Sequence, residues 1–121
     1  MKIKKLYNYI LKNGGATLSL NNNLVEYESG FQVAFKPYEK IAHIENLKSF
    51  KKSFRAYKKQ VKKQIKKTLN IGLWLENNNL YFDISKNINF LTNALMIAES
   101  NEQKSIFKWE DKTCIYLENE K

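Results

Sequence analysis

The sequence is poor in the residues that form disulfides, zinc sites and irregular loops. Its 121 residues include one cysteine, one histidine, one proline and four glycines. A lone cysteine, Cys114, cannot form an intrachain disulfide, and with a lone histidine, His43, it cannot assemble the usual cysteine and histidine zinc clusters. We therefore expect a cytoplasmic protein with no metal or other cofactor, folded as one domain over residues 1–121.

Long apolar runs are also missing. No run approaches the roughly 20 residues that a transmembrane helix needs. The N-terminal stretch 1–15 lacks a long apolar core followed by a small-residue cleavage site. The sequence therefore predicts neither export nor a membrane partner.

Signatures of catalysis are absent as well. No phosphate-binding loop follows the glycine pair 14–15, and His43 has no cysteine, serine or aspartate at a diagnostic spacing, so we expect it to be a loop or edge residue. Cys114 lies in an alternating strand pattern, which predicts a small core residue. We expect a protein that is not an enzyme.

Hydrophobic periodicity predicts the fold. A helical repeat near the N-terminus stops at the glycine pair 14–15, and the asparagine triplets 21–23 and 77–79 predict turns, the second at a hairpin tip. Pro37 is expected to close the second strand, with a loop through His43 after it. The predicted order, α-ββ-α-ββ-α-ββ, indicates an α+β fold in which an antiparallel sheet of about six strands in hairpins carries three helices on one face.

Positive charge is abundant, and its excess is local. Ten of the 21 lysines and arginines lie in residues 48–68, which contain no carboxylate, while the rest of the chain has 11 basic and 12 acidic side chains. A concentrated excess of one sign creates a directional field that attracts polyanions. The candidate residues for binding nucleic acid or another partner are Lys48, Lys51, Lys52, Arg55, Lys58, Lys59, Lys62, Lys63, Lys66 and Lys67.

This basic segment is predicted to form one amphipathic helix over residues 46–69. Apolar residues recur every three or four positions and form a core-facing stripe beside the basic face. Like charges at i and i+4 destabilise a helix by roughly a few tenths of a kcal/mol per pair, and no glutamate relieves them here. Two interpretations are open: a face that binds phosphates or an acidic protein, and a merely solvated face whose lysines reflect codon bias.

A second, smaller patch is predicted on the sheet. Asp83 lies beside Tyr81 and Ser85 in its strand, and we expect it to share a sheet face with Trp74 and Trp109 in a polar, aromatic patch. These residues form either a second partner site or, for Asp83, a hydrogen-bonding group at a strand end.

Five short motifs are spread over most of the chain. They are Gly14-Gly15-Ala16-Thr17, Gly30-Phe31-Gln32-Val33, Gly72-Leu73-Trp74, Tyr81-Phe82-Asp83-Ile84-Ser85 and Gln103-Lys104-Ser105-Ile106-Phe107. Together they resemble a family of small proteins carried by phages and integrative elements of Gram-positive bacteria. The resemblance implies a mobile-element origin and a shared fold, although the lysine-rich middle helix departs from the family pattern.

Three functions are compatible with these observations. The first is a non-enzymatic counter-defence protein, similar to anti-CRISPR proteins, whose basic helix binds nucleic acid or a ribonucleoprotein effector in the bacterial host. The second is a general nucleic-acid-binding accessory protein of a phage. The third is an interaction module for an acidic host protein. The sequence leaves open the choice between RNA and DNA and the oligomeric state.

Overall fold

The computed structural model describes residues 2–63 and 69–117. These residues form three helices and six strands in the order that the sequence predicts. The elements are α1 (Ile3–Asn13), β1 (Gly15–Ser19), β2 (Phe31–His43), α2 (Leu47–Lys62), β3 (Asn70–Glu76), β4 (Asn79–Ile88), α3 (Leu91–Ser100), β5 (Ser105–Lys108) and β6 (Thr113–Tyr116). The predicted α+β fold is confirmed.

The six strands form one antiparallel sheet in the order β1-β3-β4-β2-β5-β6. β3 with β4 and β5 with β6 are the expected hairpins. The first two strands are not a hairpin, because β1 pairs with β3 whereas β2 pairs with β4 and β5. The connection over residues 20–30 is long enough to carry the chain from the sheet edge past two strands.

The β3–β4 hairpin turns at Asn77 and Asn78, as the asparagine triplet predicts. Their φ angles are 53° and 64°. Two consecutive left-handed residues are typical of the tight turn whose twist matches that of paired strands, and asparagine adopts this conformation more readily than most residues. The turn sets the register that places Trp74 opposite Tyr81.

Strand β2 is longer than the sequence predicts. It continues through Pro37 to His43 instead of ending at the proline. Its pairing with β4 shifts between Phe35 and Lys40, so the intervening residues bulge opposite Asp83. Proline has no N–H for the ladder, and a bulge is a position in a sheet where it is tolerated.

All three helices pack on one face of the sheet. The Tyr57 ring of α2 stacks on Phe82 of β4 with centroids 4.4 Å apart. Its hydroxyl donates a hydrogen bond to the Tyr38 carbonyl in the β2 bulge at 2.5 Å. Further along this face, α3 packs Ala94 against Val33. The buried stripe of α2 consists of Phe50, Phe54, Tyr57 and Val61.

Helix α2 starts at a reciprocal cap. The Asn46 side chain accepts a hydrogen bond from the backbone N–H of Ser49 at 3.0 Å, and the Ser49 hydroxyl accepts one from the backbone N–H of Asn46 at 3.1 Å. Two N–H groups that the first turn leaves without helical partners are thereby satisfied. The cap fixes where the basic face begins.

The C-terminal end of α2 falls earlier than the predicted residue 69. The helix ends at Lys62, and Leu69 already leads into β3. Helical periodicity continues past this point in the sequence, but the chain must leave the helix layer to enter the sheet. Lys66 and Lys67 lie outside the described residues.

Replacing Phe54 with aspartate should unfold the domain, because the side chain is 1% exposed and an ionised carboxylate has no partner there. Ala56→Asp is the matched control, since Ala56 is exposed on the same helix and its substitution should leave the fold intact. Circular dichroism and thermal melts measure both. A folded, cooperative Phe54→Asp variant would contradict the observed packing of α2.

Candidate binding surfaces

The solvent side of α2 carries a row of cations. Alternating steps of four and three residues place them on one line along the helix, opposite the buried stripe. At about 1.5 Å per residue, the row from Lys48 to Lys62 is about 21 Å long. Its exposed members are Lys48, Lys52, Arg55, Lys59, Lys62 and, at the C-terminal cap, Lys63.

No acid neutralises this row within residues 2–63 and 69–117. The four ion pairs found there join Lys36 with Glu102, His43 with Glu45, Lys108 with Asp111 and Lys112 with Glu26. None involves a residue of α2. Within the described part of the chain, the row of cations is therefore exposed and has no ion-pair partner.

Two of the predicted binding residues are partly buried. The Lys58 Nζ donates hydrogen bonds to the Leu20 carbonyl at 3.3 Å and to the Asn22 side chain. Burial lowers the pKa of Lys58, and the neighbouring Lys62 cation lowers it further. Lys51 is also partly buried. Lys58 thus anchors the β1–β2 connection instead of standing free for a partner.

A groove of about 540 Å³ lies on the face of the sheet that no helix covers. The end of α1, the β1–β2 connection and the β5–β6 hairpin border it. Trp74 and Asp83, two residues of the predicted second site, line the groove. Tyr81 lies on the same sheet face, directly opposite Trp74. The structure therefore brings the predicted second-site residues together.

The five short motifs that are spread over the sequence all contribute to the lining of the groove. Each of these five motifs, far apart in the sequence, contributes lining side chains or backbone. The contributing residues are Gly15, Ala16, Thr17, Gln32, Gly72, Leu73, Trp74, Asp83, Ser85, Gln103, Ser105, Ile106 and Phe107. The sheet topology thus converts separate motifs into one surface.

A network of polar side chains extends from the groove into the residues beside it. The Gln32 amide donates to Asn70 Oδ1 at 2.8 Å and to Ser85 Oγ at 2.9 Å, and its carbonyl accepts from Trp109 Nε1 at 2.9 Å. The Tyr27 hydroxyl donates to Asn70 Oδ1 at 3.2 Å. Sequence reasoning missed Gln32 and Asn70, because single polar residues within strands carry no signal of the partners that pairing brings to them.

Asp83 stands outside this network. Among the described residues, its carboxylate forms no ion pair and no hydrogen bond. It lies opposite Gly72, where a Cβ atom would come within 2.3 Å of Asp83 Oδ1, so a glycine is needed to leave room for the carboxylate. Burial raises the pKa of Asp83 to about 6, and the Glu39 carboxylate adds to the rise. The hairpin register predicts the Gly72–Asp83 pair and could have revealed this arrangement.

Cys114 is exposed, so the prediction of a core residue is wrong. It lies on strand β6 at the sheet edge, opposite Phe107. Alternation places Ile115 on the helix-covered face and Cys114 on the open face, where it lines the groove. The strand pattern shows which residues share a face, but it does not show which face the helices cover.

His43 is the last residue of β2, where it pairs with Asn79, so the predicted loop through His43 is wrong. Its ring Nε2 is 3.1 Å from Glu45 Oε2. Within residues 2–63 and 69–117, no group of three or more histidine, cysteine, aspartate and glutamate side chains could hold a metal ion. In the same residues, no helix is long and apolar enough to cross a membrane.

Comparisons with known proteins find no relative for this chain. No protein-family model matches it, and no curated protein or solved structure matches it significantly. Two surfaces of the molecule are candidates for a function: the row of cations on α2 and the groove on the open face of the sheet.

The raised pKa of Asp83 predicts how stability depends on pH. Because the pKa is about 6 in the folded chain and 3.8 ordinarily, the folded protein binds this proton more tightly than the unfolded chain does. The contribution of Asp83 to stability is therefore fully present below pH 4 and is lost as pH rises through 6. Asp83→Asn should raise the free energy of unfolding at pH 8 by about 1–3 kcal/mol and change it little at pH 4.

Chemical denaturation of both proteins at pH 4, 6 and 8 measures this difference. Glu99→Gln is the control, because Glu99 is exposed on α3 and its loss should have the same small effect at each pH. An Asp83→Asn effect of equal size at pH 4 and pH 8 would contradict the assigned environment of Asp83.

Proposed function

We propose that the protein binds nucleic acid, free or within a ribonucleoprotein, through the row of cations on α2. The observation that carries this proposal is the unpaired row itself: five exposed basic side chains on one helical line, with no carboxylate within ion-pair distance among the described residues. A merely solvated face usually mixes charges of both signs, which would lower the repulsion between neighbouring cations.

The composition of the row favours contacts with phosphates over contacts with base edges. Four of its five helical members are lysines, and a lysine ammonium acts as a point charge that does not distinguish bases. Arg55 alone carries the planar fork that can bind two acceptors of a base or a phosphate. Such a surface positions a protein on a backbone and gives weak sequence preference.

We place this activity in a bacterial host cell, as a non-enzymatic counter-defence role of the anti-CRISPR type. The support is the resemblance of the five motifs to proteins of phages and integrative elements. In that role, α2 would occupy the part of a ribonucleoprotein effector where nucleic acid is exposed and so block the effector. Binding without this inhibition would leave a general nucleic-acid-binding accessory protein.

The salt dependence of binding tests the proposal. If four or five cations of the row each displace one phosphate counterion, log K should fall linearly with log salt, with a slope of roughly −3 to −4.5. Each single change of Lys48, Lys52 or Lys59 to glutamine should make the slope less negative by about one unit and weaken the binding of all oligonucleotides similarly. Fluorescence anisotropy with single-stranded and double-stranded RNA and DNA measures this. A slope near zero would overturn the proposal.

Charge-reversal variants on α2 and at other positions distinguish an effect of the row of cations from an effect of the overall net charge. Lys52→Glu/Lys59→Glu should reduce oligonucleotide affinity at least a hundredfold at low salt, because it places two repulsive charges in the row. Lys86→Glu/Lys104→Glu changes the net charge equally at exposed positions outside α2 and should weaken binding only a few fold. Equal losses in the two variants would show that only the overall charge matters.

Capture from a bacterial lysate distinguishes nucleic acid from an acidic protein as the partner. Material bound by the wild type and lost in Lys52→Glu/Lys59→Glu should be released by nuclease treatment, and the purified protein should carry nuclease-sensitive absorbance at 260 nm. Capture of a protein that resists nuclease and contains no nucleic acid would favour the acidic-protein alternative.

A further inference from the structure

The groove on the open face of the sheet carries an unbalanced negative charge. Its charged lining residues are Glu26, Asp83 and Lys112. Lys112 Nζ lies 3.9 Å from Glu26 Oε1, so these two neutralise each other and Asp83 remains. Glu39, whose charge acts on Asp83, accepts a hydrogen bond from Gln103 at 2.9 Å but has no ion-pair partner among the described residues. The groove therefore favours a positively charged occupant.

The charges of the groove and the donors of its hydrogen-bond network do not favour an anion. The amide of Gln32 and the indole N–H of Trp109 already donate to groups within the network. Lys112, the cation among the described lining residues, is paired with Glu26. An anionic ligand would therefore meet the charge of Asp83 without a free cation to offset it.

The ring of Trp74 provides an aromatic surface that can contact the apolar part of a ligand. Trp74 is 52% exposed although its ring lies against the backbone of Gly15, where a Cβ would come within 2.6 Å of the ring. Trp74 is two residues from Gly72 on the same sheet face, which makes it a diagonal neighbour of Asp83. An indole face near a carboxylate attracts organic cations through its quadrupole and the charge together.

The groove volume and its donor set define the class of ligand. About 540 Å³ is within the range of small-molecule sites, and a single free carboxylate is too few ligands for a metal ion. We propose that the groove binds a small organic cation, with an amidinium, guanidinium or ammonium group on Asp83 and a flat apolar body against Trp74. This site is independent of α2, which lies on the opposite face of the sheet.

Benzamidine and benzamide form a matched pair of probes, because they have nearly the same shape and differ in charge. At pH 8, benzamidine should bind at millimolar or tighter affinity, and benzamide at least tenfold more weakly. Asp83→Asn should lower the affinity for benzamidine at least tenfold, so that benzamidine no longer binds more tightly than benzamide. Trp74→Leu should lower the affinity for benzamidine about three- to tenfold, and benzamidine should still bind more tightly than benzamide. Isothermal titration and two-dimensional NMR of the full chain measure the affinities and the location.

Glu99→Gln is the control, since it removes one negative charge on the helix side and should leave benzamidine affinity unchanged. Tryptamine is a second cationic probe with a larger ring and should show the same dependence on Asp83. The proposal is overturned if neither cation binds, if benzamide binds as tightly as benzamidine, or if Asp83→Asn retains wild-type affinity.

A pH titration of the wild type tests the site without a substitution. Benzamidine keeps its charge between pH 8 and pH 5, whereas protonation of Asp83 should reduce its affinity about tenfold. The other titratable groups that line the groove are Tyr9, Glu26, Lys112 and Cys114, and Glu39, Tyr57 and Tyr81 are the titratable neighbours of Asp83 and Trp74 outside the lining. The fall in benzamidine affinity between pH 8 and pH 5 should be absent in Asp83→Asn. A wild-type affinity that does not change with pH would overturn the proposal.

Discussion

The packing of the apolar stripe of α2 on the sheet is the interaction on which both surfaces depend. Phe54 and Tyr57 are almost fully buried, and Tyr57 stacks on Phe82 in the middle strands of the sheet. The same contact holds the opposite side of the helix in solvent, so the repulsion among its cations is offset by hydrophobic burial. Burial of the apolar stripe therefore both stabilises the core and keeps the row of cations exposed to solvent.

The sheet separates two surfaces of opposite character. Its helix-covered face supports α2 and the cations, and its open face holds a groove whose unbalanced charge is negative. Because the two lie on opposite sides of the sheet, binding of a polyanion to one does not require the other to be vacant. The fold therefore presents two candidate binding surfaces, and the charge excess of the sequence indicates only one of them.

Asp83 shows the cost of an unpaired carboxylate in a folded chain. Gly72 makes room for it on one side, and the bulge of β2 around Pro37 faces it on the other. Burial raises its pKa, which means that the ionised form destabilises the fold near neutral pH. Asp83 is half-buried and lines a groove, and titratable groups with a perturbed pKa are found more often at functional sites than elsewhere.

Local and periodic features were readable from the sequence. The α+β class, the order of elements, the turn at Asn77 and Asn78 and the basic face of α2 all depend on residues close together in the chain. The lengths of β2 and α2 were not readable, since the bulge lets a strand pass Pro37 and the end of a helix depends on where the next strand begins. The pairing of β1 with β3 was not predicted either.

The sequence by itself determined the amphipathic character of α2 and the hairpin register that sets Gly72 opposite Asp83, because helical and strand periodicities are properties of neighbouring residues. Only the tertiary structure decided which face of the sheet the three helices cover. Because the helices cover that face, the other face is open to solvent, Cys114 is exposed, and Gln32 and Asn70 lie next to each other beside the groove. Pairing between distant strands determines this arrangement, through contacts that no local pattern encodes.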